Sequence, residues 1–158
     1  MINGNENIFK KVLILLAHGV EDLEAVGTID LLRRAGLNVV VAGQHQIVTC
    51  SRGIKVLPDV LFEELIEDED FYAVILPGGA EGVHNLSSDS SIEKILKRQS
   101  VRKGWIGAIC AAPLLLHEWG ILSEDAVVAC HPSIADQMTM YVLSDDHVAV
   151  DRNIITAK

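Results

Sequence analysis

Nowhere in this chain do about 18 apolar residues run together, the length a helix needs to cross a bilayer, so no membrane partner is expected. The start, Met1-Ile2-Asn3-Gly4-Asn5-Glu6-Asn7, lacks the basic cluster and apolar run of a secretory signal. Cysteine is scarce: Cys50, Cys110 and Cys130 form no C-x-x-C pair, and any disulfide scheme leaves one of them over. A reducing compartment, the cytoplasm, is the simplest setting. Basic residues are few and scattered, 13 Lys and Arg against 22 Asp and Glu, for a net charge of -9 and a pI of about 5.0. That balance repels phosphate backbones and argues against nucleic acid as a partner. Neither a G-x-G-x-x-G fingerprint nor a P-loop lysine is present, so no nucleotide site is implied. Internal repeats, low-complexity tracts and linkers are absent as well.

What is present is a core. The 158 residues, 49% hydrophobic, suit one globular domain, which at this size buries about 70% of the surface its unfolded chain exposes. Short apolar runs alternate with helical patterns. Val12 to Ala17, Val39 to Ala42 and Ala73 to Leu76 read as parallel strands buried on both faces. The stretch 21–35 carries a helical apolar spacing, acids in its first turn, Arg33 and Arg34 in its last, and Gly36 as a stop. Residues 47–50 and 54–57, split by Ser51-Arg52-Gly53, read as a small hairpin, and 62–69 as an acidic helix or loop. A helix over 91–99 leads into a strand at 105–109, and Pro113 opens a helix that ends before Gly120. Short strands at 127–129, 147–150 and 154–155 complete an α/β pattern with a mostly parallel sheet.

In such sheets ligands sit beyond the carboxyl ends of the strands. Three segments are expected to converge there: the turn carrying Glu21, Asp22 and Glu24, the turn carrying Gly78 and Gly79, and the strand-to-helix turn at Cys110. An abrupt turn holds a thiol out of the core, and unpaired N–H groups at a helix start favour its anion. Cys110 therefore reads as a nucleophile or a redox sensor. Gly78 and Gly79 allow close backbone approach and could aim N–H groups at an oxyanion, although Gly-Gly also serves plain turns. Taken singly, Glu24 fits a helix-dipole acid and His131 a structural histidine. Cys50 and Cys130 read as small apolar packing groups.

The motifs Ala17-His18-Gly19-Val20-Glu21-Asp22-Leu23-Glu24, Arg33-Arg34-Ala35-Gly36, Cys50-Ser51-Arg52 and Leu76-Pro77-Gly78-Gly79 stand in one order. So do Asn85-Leu86-Ser87, Arg102-Lys103-Gly104, Ala108-Ile109-Cys110-Ala111-Ala112-Pro113 and His131-Pro132. Together they resemble the ThiJ/PfpI superfamily, and within it the branch of the parkinsonism-associated deglycase and glyoxalase. The resemblance implies a flavodoxin-like three-layer α/β/α sandwich with a nucleophile-elbow cysteine, and a homodimer. It assigns Cys110 as the reactive cysteine, Glu24 as the catalytic glutamate and His131 as an accessory acid/base, with the Gly79 and Ala111 N–H groups as oxyanion donors. No cofactor and no metal are implied.

An ionised carboxylate beside a thiolate is repulsive, so the expected arrangement is one shared proton, with Glu24 protonated and Cys110 anionic. Relatives that act as peptidases carry histidine directly after the nucleophile; here that residue is Ala111, which disfavours a cysteine peptidase. The resemblance instead implies glutathione-independent glyoxalase or deglycase-like chemistry on small 2-oxoaldehydes such as methylglyoxal, with a role in oxidative-stress protection. The alternative is a redox sensor or holdase chaperone switched by sulfinate formation at Cys110. Family members continue past a strand like 154–157 into a further helix. The expectation is thus a single domain over 1–158 without that helix, leaving an apolar face of the sheet open.

Overall fold

A computed structural model describes residues 10–66 and 68–158. The polar start at 1–7, and Glu67 within the acidic segment 62–69, lie outside the described residues. The first unit is strand β1 (Lys11–Leu16), helix α1 (Asp22–Arg34) and strand β2 (Asn38–Gly43). Side chains alternate across a strand, so β1 feeds two cores at once. Leu13 and Leu15 pack with Val74, Leu76, Leu86, Ile92 and Leu96 on one face. Val12, Ile14 and Leu16 pack with Ala25, Ile29 and Leu32 on the other. Helix α1 begins where Glu21, still extended, accepts a hydrogen bond from the Glu24 N–H through its own carboxylate. It ends at Arg34, before Gly36 turns the chain at a φ of 81°.

Two short strands, β3 (Val48–Thr49) and β4 (Lys55–Val56), form the expected antiparallel hairpin, and β5 (Val60–Leu61) follows at the sheet edge. The strand β6 (Ala73–Leu76) leads through helices α2 (Ala80–Ser87) and α3 (Ser90–Val101) to β7 (Trp105–Ile109). Helix α4 (Pro113–Glu118), the two-residue strands β8 (Val127–Val128) and β9 (Val142–Leu143), and the strands β10 (Val148–Asp151) and β11 (Ile154–Ala157) complete the fold. The main sheet runs β10-β11-β7-β6-β1-β2-β5, parallel throughout except for β10, which is antiparallel to β11. This is the flavodoxin-like α/β arrangement expected, with helices on both faces.

Several elements differ from the sequence reading. Helix α2 lay hidden behind Pro77-Gly78-Gly79, because it is short and carries Gly82 in its interior. That glycine is required: a β-carbon there would stand 2.6 Å from the Val20 backbone. Strand β9 is two exposed residues, too short for any periodicity to mark. Strand β5 falls where no element is expected, and the 3-10 turn Phe62–Glu64 opens the segment read as an acidic helix or loop. Among the described residues, no helix is long and apolar enough to cross a membrane. On the α1 face of the sheet, a groove of about 320 Å³ opens among Val12, Leu32, Tyr72, Ile75, Trp105 and Ile155.

Candidate active site

Cys110 stands at the carboxyl end of β7 with a φ of 64°, a left-handed conformation that an L residue adopts at a cost of about 1–2 kcal/mol. The neighbours enforce it. The Cys110 N–H donates to the Ala157 carbonyl at 2.9 Å, and its carbonyl accepts from the His131 N–H at 2.8 Å. Strand β11 and the loop after β8 thus grip the elbow from both sides, and the chain leaves it directly into α4 at Pro113. The side chain is half-buried, whereas Cys50 and Cys130 are buried.

Glu24 reaches this point from the first turn of α1. Its Oε2 accepts the Gly78 N–H at 2.7 Å. Gly78 is what lets the two reactive groups meet: a β-carbon there would sit 2.6 Å from Cys110 Cβ and 2.6 Å from Glu24 Oε2. The thiol hydrogen-bonds to Glu24, and the N–H groups of Gly79 and Ala111 reach the sulfur. Gly79 has a φ of 90°, and a β-carbon on it would lie 2.5 Å from the Gly19 carbonyl oxygen. Gly79→Ala is therefore expected to lower the unfolding free energy by about 2–4 kcal/mol, through strain and overpacking together, measured by urea titration.

The electrostatics run against the expected resting anion. Burial pushes the Cys110 thiol up, and the negative charge of Glu24 and the hydrogen bond to it push in the same direction. The Gly79 and Ala111 N–H groups pull it down but do not prevail. Burial and a carboxylate in contact thus both oppose ionisation of the sulfur. One expectation is corrected, and His131 finds its place. The Gly78 N–H, read as a possible oxyanion donor, is turned to Glu24 instead. The His131 imidazole is exposed, and its Nδ1 accepts the Ser133 N–H at 3.1 Å as the cap of the turn Pro132–Gln137. In the neutral ring the proton then sits on Nε2.

The three acids of the first turn part company. Glu21 caps α1, Glu24 faces Cys110, and Asp22 turns away, 4% exposed, beneath the hairpin. Ser51 Oγ donates to Asp22 Oδ2 at 3.0 Å, the Arg52 N–H to the same oxygen at 2.7 Å, and the Ile54 N–H to Oδ1 at 3.1 Å. Sequence reasoning grouped Asp22 with the site but missed this partner. The available signal was a polar turn, Ser51-Arg52-Gly53, rich in donors.

A parallel α/β sheet that delivers a strained cysteine, a facing glutamate and two loop N–H groups to one end defines a flavodoxin-like domain of the cysteine-elbow class. The model of the DJ-1/PfpI family matches residues 10–158, and the chain belongs to that family. It is 39% identical over 154 residues to the Parkinson disease protein 7 homolog of Danio rerio, covering 94% of this chain and 81% of that protein. Over 153 residues it is 38% identical to the glutathione-independent glyoxalase DJR-1.2 of Caenorhabditis elegans, covering 94% of this chain and 80% of that one. The crystal structure of Drosophila melanogaster DJ-1beta superposes with a TM-score of 0.88 at 36% identity, across 94% of this chain and 81% of that one.

Proposed function

We propose that this protein is a cofactor-independent glyoxalase that converts small 2-oxoaldehydes such as methylglyoxal to 2-hydroxy acids. The observation that carries the reading is the meeting of the Glu24 carboxylate and the Cys110 thiol across Gly78, with two N–H groups at the sulfur. The name of the nematode relative supports the same chemistry.

Glu24 takes the thiol proton as the sulfur attacks the aldehyde carbon. A C–S bond forms, and the carbonyl oxygen becomes an alkoxide that the Gly79 and Ala111 N–H groups stabilise until Glu24 returns the proton. Glu24, a carboxylate again, removes the hydrogen of the former aldehyde carbon, and the electron pair forms an enediol as His131 Nε2–H protonates the ketone oxygen. Return of a proton to the adjacent carbon and of the enediol hydroxyl proton to His131 gives a thioester. Water then breaks the C–S bond, releases the hydroxy acid and restores the thiol. The sum is one water added, with no outside oxidant or reductant. The reading includes a homodimer in the cytoplasm; the exposed Leu23 and Leu31 on α1 support an apolar contact surface.

Incubating the purified protein with methylglyoxal in the absence of glutathione is expected to yield lactate, with Cys110→Ala and Glu24→Ala inactive. A second reading, a redox sensor, draws on the same two N–H groups, which would equally hold sulfinate oxygens, and on a relative from Toxoplasma gondii solved in an oxidised form. No lactate, with stoichiometric sulfinate at Cys110 under mild peroxide, would favour it.

A further inference from the structure

Asp22 is a buried carboxylate that accepts three hydrogen bonds from the turn 51–54. Buried charges persist only where hydrogen bonds replace water. The turn is also fastened to the β1–α1 connection by the main chain. Gly19 N–H donates to Thr49 O at 2.9 Å and Ser51 N–H to Val20 O at 2.8 Å, while Thr49 N–H donates to His18 Nδ1 at 3.0 Å. That connection abuts the catalytic loop. The Glu21 N–H donates to Gly78 O at 3.0 Å, and the Gly19 carbonyl leaves no room for a side chain at Gly79.

We propose that Asp22 is a positioning residue: by gripping the turn 51–54 it fixes the first turn of α1 where Glu24 meets Cys110. The contacts run without a gap from the hairpin through residues 18–22 to Gly78 and Gly79, and from there to the sulfur. Asp22 touches neither substrate nor reacting atoms, and it lies two residues from Glu24 on the same helical turn. Burial works to raise its pKa, but the donors on Arg52, Ile54 and Ser51 outweigh that and hold it below the ordinary carboxylate value. The carboxylate is therefore the gripping form at neutral pH. Its function in turnover rests on the glyoxalase reading; its hold on the geometry does not.

Asp22→Asn keeps the shape and removes the charge. It is expected to lower kcat/KM for methylglyoxal by about 10²-fold, as displacements of about 1 Å at an active site do. Capture of Cys110 by iodoacetamide at pH 7 is expected to rise by about 3- to 10-fold, because the sulfur loses the carboxylate that opposes its ionisation. Cys130, buried elsewhere, should react no faster than in the wild type. Ser51→Ala removes one donor and should move both rates in the same directions by smaller factors. If Asp22→Asn unfolds, seen as Cys130 reacting like a free thiol, Ser51→Ala decides. Unchanged Cys110 capture in the folded variants, or capture and turnover falling together, overturns the proposal. Alkylation needs no substrate, so a wild-type protein that makes no lactate sinks the glyoxalase reading alone.

Discussion

Glu24→Gln is expected to lower kcat/KM for methylglyoxal by about 10³-fold, within the range a single general acid/base supplies, and to speed the capture of Cys110 by iodoacetamide near neutral pH. The two rates move in opposite directions because Glu24 has two effects on one sulfur. As a base it takes the thiol proton at the moment of attack; as a negative charge beside the thiol it opposes ionisation at rest. Burial comes first among the causes that push Cys110 up, and it survives the substitution. The alkylation profile of the variant should therefore move to lower pH without becoming that of a free thiol. The sign is fixed: a group pushed up keeps its proton as pH rises, so wild-type capture climbs on the alkaline side, and removing the charge brings that climb nearer to neutrality. Steady-state kinetics and peptide-resolved alkylation across pH 6–10 check both arms. A variant in which both rates fall would deny Glu24 the part of base.

Gly78→Ala is expected to be nearly as damaging to turnover, by about 10²-fold, for a purely steric reason. The new methyl would stand 2.6 Å from both Cys110 Cβ and Glu24 Oε2, and 2.8 Å from the Ile109 carbonyl oxygen. Two of those three atoms belong to main chain or to a β-carbon, which cannot swing away, so the carboxylate and the thiol are forced apart. Overpacking of this kind lowers stability by about 1–3 kcal/mol. Urea titration and lactate formation, measured on the same preparation, separate the two losses. Full activity in a folded Gly78→Ala protein would mean that Glu24 and Cys110 need not touch.

Much of this arrangement could be read from the residues. Strands β1, β6 and β7 are apolar on both faces, and α1 carries its acids, its arginines and Gly36 where a helix needs them, so local chemistry and tertiary position agree. The elbow at Cys110 was legible because Ile109 and Pro113 leave no other place for the turn. What escaped depends on contacts far apart in sequence. Nothing near residue 22 tells Asp22 from Glu24; the difference is the hairpin some thirty residues on. The Gly78 N–H could face either the sulfur or the carboxylate, and only the position of α1 decides. The depth of the sulfur escaped for the same reason: helix-start N–H groups and a nearby carboxylate can be weighed from the residues, but the burial that pushes the thiol up cannot.

The two main-chain bonds that hold Cys110 bear on the order in which the molecule acquires its reactivity. Its amide is satisfied by Ala157, from a strand that enters the sheet between β7 and β10, and its carbonyl by His131. Both partners are made later on the ribosome than the elbow itself, and pairings so distant close late. A nascent chain that has emerged only as far as α4 therefore carries Cys110 on a slack turn, free to relax into ordinary backbone. The nucleophile is assembled only once β11 is made and joins the sheet, which ties a reactive thiol to a pairing formed well after the elbow itself.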